Sequence, residues 1–155
     1  DSSFEIRQIF RHKKRFLDLL LLADEQESMI DLYLERGEMF ALYDQNILKT
    51  ICVVTDEGGK TIELKNIATD PQYQKQGYGK RLIRFISEHY AGKYDTLLVG
   101  TGESPLTIPF YAQNGFKYSH RIKDFFTDNY DHPIYEDGKQ LVDMVYLRKE
   151  LSKSK

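Results

Sequence analysis

Ile67-Ala68-Thr69-Asp70-Pro71-Gln72-Tyr73-Gln74-Lys75-Gln76-Gly77-Tyr78-Gly79-Lys80-Arg81-Leu82-Ile83 is the stretch on which the fold of this chain turns. It reads as a strand end, a turn at Asp70-Pro71, a glycine-bearing loop and the start of an amphipathic helix. Tyr78, Leu82, Ile83, Ile86 and Tyr90 recur at three- and four-residue steps along one helix face, while Lys80, Arg81, Arg84 and Glu88 fall mostly on the other. Gly77 and Gly79 lack a Cβ, so they permit unusual dihedrals and let a ligand approach the main chain closely. The first amides of a helix have no internal partner, and the helix dipole adds partial positive charge there. Together these features suit a phosphate or pyrophosphate.

Two familiar phosphate motifs do not fit. A Walker loop ends in Gly-Lys-Ser/Thr, and Gly79-Lys80-Arg81 lacks the magnesium-binding hydroxyl. A dinucleotide fingerprint needs a third glycine three residues after the second, where this chain has Leu82. What remains is Gln74-x-x-Gly77-x-Gly79, preceded by a strand and followed by a helix. This resembles the coenzyme A pyrophosphate motif of the GNAT superfamily, the acyl-CoA-dependent N-acetyltransferases, written Arg/Gln-x-x-Gly-x-Gly/Ala.

The 155 residues suffice for one domain with a real core, so a single domain over residues 1–155 is expected. Hydrophobic residues at 41% and charged residues at 30% are ordinary for a soluble globular protein. A net charge of −2 gives no reason to expect a nucleic-acid partner. No apolar run approaches the roughly 20 residues that span a bilayer, and Leu17-Asp18-Leu19-Leu20-Leu21-Leu22 is short and interrupted by Asp18. There is no signal-peptide pattern, although the chain begins at Asp1 without Met. The lone Cys52 lies in the apolar run Ile51-Cys52-Val53-Val54, which fits a buried structural thiol in a reducing compartment. These features point to a cytoplasmic protein without a membrane partner. Oligomeric state is not legible, and a homodimer stays open.

Phe4 to Ile9 alternates apolar and polar residues as a half-buried strand does. Helices are expected from Lys13 to about Ala23 and from Ser28 to Leu34, with Ser28 as cap and Gly37 as terminator. Met39–Tyr43 and Ile47–Val54 read as strands joined by a hairpin at Asp44-Gln45-Asn46, and Glu57-Gly58-Gly59-Lys60 leads into a strand from Thr61 to Thr69. In that strand Ile62 and Leu64 share a face, yet Ile67 is three residues further on. A bulge near Lys65-Asn66 restores the parity. Thr96–Val99 is a buried parallel-type strand. A helix follows, with Ser104 as cap, Pro105 at its first position and Asn114-Gly115 at its end. Phe116 to about Phe126 and Gln140 to about Arg148 are expected to close the sheet.

Such alternation implies an α/β (α+β) sandwich with helices on both faces of a mixed sheet. The order is similar to that of the GNAT superfamily over essentially the whole chain. The resemblance implies a mostly antiparallel sheet of about seven strands, with a bulge that splays two central parallel strands to admit the pantetheine arm. Phe110-Tyr111-x-x-Asn114-Gly115-Phe116 resembles a second superfamily segment, Phe-Tyr-x-x-x-Gly-Phe. Two departures are visible: Ser104 stands where many members have Asn, and Thr107 where many have Ala. Contacts made by that Asn cannot be carried over.

The resemblance further implies acetyl-CoA as acyl donor, held by Ile67, Ala68, Thr69, Gln74, Lys75, Gln76, Gly77, Tyr78, Gly79, Lys80 and Asn114, with no metal. A main-chain amide at Ile67 or Ala68 would steady the charge that grows on the thioester oxygen. Deprotonating an alkylamine with a pKa of about 10.4 costs roughly 4–5 kcal/mol at pH 7, so a base is useful. Glu63 is the candidate base or water-orienting group, its bland alternative being a strand carboxylate paired with Lys65 or Lys49. Asp70 reads as a turn residue. Tyr111 is the candidate acid for the departing sulfur. A phenol near pKa 10 and a thiol near 8.5 make full proton transfer uphill by about 2 kcal/mol, so a hydrogen bond to the sulfur is the better description.

An N-acetyltransferase is the leading reading; a non-catalytic acyl-CoA-binding regulatory domain and a nucleotide-binding module are the alternatives. The amine acceptor, a small molecule, is not named by the sequence. From Lys123 to Lys139, Asp124, Asp128, Asp131, Glu136 and Asp137 stand among Phe125, Phe126, Tyr130 and Tyr135. If this segment walls the acceptor pocket, a cationic amine is favoured. If it is only a polar loop, its acids serve solubility.

Overall fold

Residues 3–151 are described by the computed structural model; Asp1, Ser2 and residues 152–155 of the expected domain lie outside the described residues. The alternating N-terminal segment forms β1 (Phe4–Ile9), and a 3-10 turn over Lys13–Phe16 runs into α1 (Leu17–Ala23). The short α2 (Glu27–Asp31) follows. Ser28 is not its cap: the helix begins after Gln26, whose side-chain amide donates to Ser28 Oγ at 2.9 Å. The chain then turns back at Gly37, whose amide donates to Tyr33 O at 3.0 Å.

β2 (Glu38–Asp44) and β3 (Ile47–Gly58) are joined at Gln45 and Asn46, both with positive φ (54° and 65°), as a tight hairpin requires. β3 pairs with β4 (Thr61–Thr69). Val53 faces Asn66 and Val54 faces Leu64, so Lys65 has no partner residue. The parity change in the sequence is this bulge. Next come α3 (Tyr78–Tyr90), β5 (Thr96–Gly102) and α4 (Ile108–Gln113).

α4 starts later than its sequence signals indicate. Ser104 Oγ accepts from Leu106 N at 3.1 Å, a local turn, and the helix begins after Thr107 with Pro109 in its first turn. The strand expected over residues 116–126 ends at Ile122 as β6 (Lys117–Ile122). Asp124 adopts a φ of +58°, its amide is held by Asp143 Oδ1 at 2.9 Å, and the short α5 (Phe125–Asn129) follows. Gln140 belongs to a separate hairpin, β7 (Tyr135–Glu136) with β8 (Lys139–Gln140), and β9 (Met144–Glu150) completes the sheet.

The seven-stranded sheet has the order β1-β2-β3-β4-β5-β9-β6, antiparallel except for β4 with β5. One face carries Leu82, Ile83, Ile86 and Tyr90 of α3 against Phe40, Val54, Leu64 and Leu97. The other carries Leu20 and Ile30 against Met39, Ile51 and Val53. Cys52 is fully buried in the first of these cores, and burial pushes its thiol pKa up, as suits an inert side chain. Phe126, Ile134 and Leu141 form a third, small cluster beyond the end of β5. A Cβ on Gly102 would meet Leu141 Cδ1 at 2.5 Å, so a glycine lets that cluster close down on β5.

Candidate active site

β4 and β5 pair only from Thr61–Thr96 to Leu64–Val99. Beyond that point the bulge turns β4 away, and its edge toward β5 has no strand partner. A buried strand edge leaves amides and carbonyls to be satisfied by something else. A cavity of about 300 Å³ fills this gap, lined by Leu64 to Thr69, Gln74, Val99 to Gly102, Thr107 and Tyr111. Its far wall comes from the end of α1 (Leu22 to Glu25) and from Phe126, Tyr130, Ile134, Tyr135, Glu136 and Leu141.

The glycine loop reaches this cavity through Gln74, while Gln76, Gly77 and Lys80 line a neighbouring pocket of about 570 Å³ with Arg81 and Arg84. Asp70 Oδ1 accepts from Gln72 N at 2.9 Å, so it is the turn residue its sequence indicated. Gln74 Nε2 ties the loop to Thr69 O at 3.2 Å. Lys75 and Gly77 have φ of +64° and +89°, turning the backbone into α3. The first hydrogen bond runs from Arg81 N to Gly77 O, leaving the amides of Tyr78, Gly79 and Lys80 without a helical acceptor. Nothing lies within 4 Å of a Cβ built on Gly77, so the space before these amides is open to an anion. Beneath the loop, Lys49 places its ammonium 3.3 Å from the centre of the Tyr73 ring, and Tyr78 donates to Asp44 at 2.8 Å.

Lys80 and Asn114 meet at a second cavity of about 340 Å³ between α3, α4 and the end of β9, beside Arg84 and Lys149. Asn114 Nδ2 also donates to Phe110 O at 2.7 Å and so helps end α4.

Tyr111 and Glu63 stand differently toward the main cavity. Tyr111 lines it, and its hydroxyl makes no hydrogen bond among the described residues. That oxygen is not among the buried unpartnered atoms, so it opens onto the cavity. Burial, with Glu136 adding to it, pushes the phenol pKa up and keeps the hydroxyl a donor. Glu63 is not on the wall. It is 6% exposed, with Oε1 3.2 Å from Lys65 Nζ and Oε2 accepting from Tyr146 OH at 3.1 Å. Burial raises its pKa, against the pull of Lys65 and Tyr146. The pairing with Lys65 was legible as the bland alternative; the pairing with Lys49 does not occur. Tyr146 was not legible as a partner, since it lies 83 residues away.

The far wall is drawn in by Asp24. It accepts from Tyr33 OH at 3.0 Å and from Tyr130 OH at 2.6 Å. Asp131 N donates to Gln26 Oε1 at 3.0 Å, and His132 lies 3.4 Å from Glu25. Asn66, on the bulge, donates to Leu20 O and to Tyr33 OH. Asp24, Tyr33 and Asn66 carried no motif; Asp24 and Asn66 are marked only by lining one cavity, and Tyr33 by bonding to both. Among the described residues no group of three or more His, Cys, Asp or Glu is arranged to hold a metal, and no helix is long and apolar enough to cross a membrane.

Residues 35–118 match the family model described as an acetyltransferase (GNAT) domain. The chain is 39% identical over 137 residues to the uncharacterized N-acetyltransferase YvbK of Bacillus subtilis (strain 168), covering 86% of this chain and 88% of that protein. Its fold is similar to a crystal structure of a GNAT family acetyltransferase from Elizabethkingia anophelis with acetyl-CoA bound (TM-score 0.89, 33% identity, 97% of this chain and 100% of that one). It is similar also to a Bacillus subtilis acetyltransferase in complex with CoA (TM-score 0.87, 35% identity, 96% and 99%). The open helix N-terminus, the parted strands and these relatives agree, and the chain belongs to the GNAT family of N-acetyltransferases.

Proposed function

We propose that this enzyme transfers the acetyl group of acetyl-CoA to a primary amine of a small molecule, by direct attack with both substrates bound. The observation that carries the reading is the cavity along the unpaired edge of β4, which Gln74 of the glycine loop and Tyr111 both line. The open amides of Tyr78 to Lys80 follow Gln74 directly in the chain.

The donor supplies the activated acetyl group; the chain supplies positions and charges. The loop from Gln74 to Lys80 offers amides to the pyrophosphate, and Thr69 and Asn114 flank its path. An amide of Ile67 or Ala68 on the edge of β4 meets the thioester oxygen as charge grows there. A C–N bond forms at the carbonyl carbon and the C–S bond breaks. Tyr111 donates a hydrogen bond to the departing sulfur. The amine sheds its proton to water that leads to Glu63, whose burial makes it a better proton acceptor than a solvated carboxylate. Lys65 lines the cavity and holds Glu63 at 3.2 Å, so that route runs beside its ammonium.

The test is an acetyl-CoA-dependent screen of primary amines, reading released thiol, beside calorimetric titration with coenzyme A. Amine-dependent thiol release with coenzyme A binding is the expected result. Binding without turnover on any amine would instead favour an acyl-CoA-binding regulatory domain.

A further inference from the structure

Glu136 lines the cavity, and its Oε1 is buried without a hydrogen-bond partner. Among the described residues Asn66 Oδ1 alone shares that condition, and Asn66, 3% exposed, lines the same cavity. Burying an acceptor without a donor is costly, and far more so for a carboxylate. Two such atoms on one cavity wall call for a ligand rich in N–H groups.

The charges around them fix its sign. Lys65 is matched by Glu63 at 3.2 Å, and Glu25 faces His132 at 3.4 Å. Asp24 accepts two tyrosine hydroxyls, at 2.6 and 3.0 Å, but no cation pairs with it. Glu136 has no cation either. The wall therefore keeps two carboxylates with no positive partner among the described residues, flanked by the rings of Phe126, Tyr130 and Tyr135. A reacting nitrogen must lose its charge before it attacks the thioester, so it cannot be the lasting counter-ion of this wall. A second cationic nitrogen can.

We infer that the acceptor is a small amine carrying a second positive charge, seated by Glu136 and Asn66 against the aromatic wall. This rests on the acetyl-transfer reading and deepens it. Glu136 and Tyr111, whose hydroxyl is assigned to the sulfur, line the same cavity, so the seat and the reacting centre share one space.

Three amines of one chain length separate the charges: 1,4-diaminobutane, butylamine and 4-aminobutanoate. Expected is a kcat/KM for the diamine at least about tenfold above butylamine, with the carboxylate lowest, and a preference that shrinks when salt screens the site. Glu136→Gln, checked for folding by its melting temperature, should raise KM for the diamine about tenfold and flatten its salt dependence. Glu136→Asp should restore part of the preference. Equal kcat/KM for diamine and butylamine, a preference for 4-aminobutanoate, or an unchanged diamine KM in folded Glu136→Gln would overturn the inference. If none of the three is acetylated, calorimetric titration of 1,4-diaminobutane decides: binding weakened in Glu136→Gln supports the seat, and no binding to the parent removes it. Failure of the parent to bind coenzyme A would overturn the acetyl-transfer reading instead, and the diamine titration reads the seat without it.

Discussion

The glycine loop and the far wall of the cavity are held by different means. At the glycine loop the groups proposed to work are main-chain amides, set by two positive-φ residues and the start of one helix, all within a dozen residues. At the far wall they are side chains brought together across the chain, as with Tyr130 and Asp24, which are 106 residues apart. A main-chain site depends on backbone dihedrals and tolerates side-chain change. A side-chain site is exposed to every substitution in its network. The difference says where each end will break.

The largest effect is expected at the loop. Gly77→Val puts a β-branched residue at a φ of +89°, a strain of roughly 1–3 kcal/mol, and sets methyl groups before the open amides. A built Cβ meets no protein atom, so folding should survive with a melting temperature lower by about 2–10 °C. Coenzyme A affinity should fall at least about 100-fold, a loss of roughly 2.7 kcal/mol or more. Calorimetry beside thermal unfolding tests this, and unchanged affinity in a folded variant would remove the loop from the site.

That end of the molecule was also the end legible in the sequence. Gln74 and Gly77 shape the turn into α3 through local geometry, and the spacing of Ile62, Leu64 and Ile67 betrayed the bulge because strand parity is a local rule. Failures came where local signals had a competing use. Ser104-Pro105 has the chemistry of a helix start, yet Ser104 spends its hydroxyl on Leu106 and the helix waits for Ile108. Phe125-Phe126 reads as strand, but the left-handed Asp124 and its bond to Asp143 redirect the chain into α5. Tyr130 as a partner of Asp24 and Tyr146 as a partner of Glu63 were invisible, since no periodicity links residues 106 or 83 positions apart.

Tyr111→Phe should act between these extremes. Its hydroxyl has no partner among the described residues, so its loss leaves no protein group unsatisfied and stability should hold. Turnover should drop about 10- to 100-fold with coenzyme A affinity nearly constant, because the hydroxyl matters only as charge develops on sulfur. Steady-state kinetics beside calorimetry separates the two; unaltered kcat would end its assignment.

Glu63→Gln carries a double signature in pH. Activity should fall by about tenfold below the pKa of the amine and recover partly above it, where the substrate is already neutral. Stability changes in the opposite sense. Burial raises the folded-state pKa of Glu63, so its contribution is full below the unfolded value of 4.5 and is lost as pH rises through the raised one. Urea unfolding from pH 4 upward should therefore show the parent losing stability relative to the variant. A pH–rate profile parallel to that of the parent would exclude Glu63 as base.

The smallest effect sharpens the contrast from the far wall. Tyr130→Phe keeps the ring against Phe126, stacked at 5.5 Å, and removes only the hydroxyl that binds Asp24. Asp24 retains Tyr33, so its carboxylate is not stranded. The net loss for one hydrogen bond to a charged acceptor, partly exposed here, is about 1 kcal/mol. The remaining ties, Asp131 N to Gln26 Oε1 at 3.0 Å and His132 to Glu25 at 3.4 Å, are solvent-exposed, and the latter is screened by salt, so they make up little of the difference. Loosening this wall should raise the acceptor KM about threefold, leaving coenzyme A affinity alone, since Gly77 and Lys80 at the start of α3 line a different pocket. His132→Asn should move neither quantity measurably in high salt. If Tyr130→Phe weakened coenzyme A as much as the acceptor, the two ends would not be independent, and the wall would have to be counted as part of the donor site.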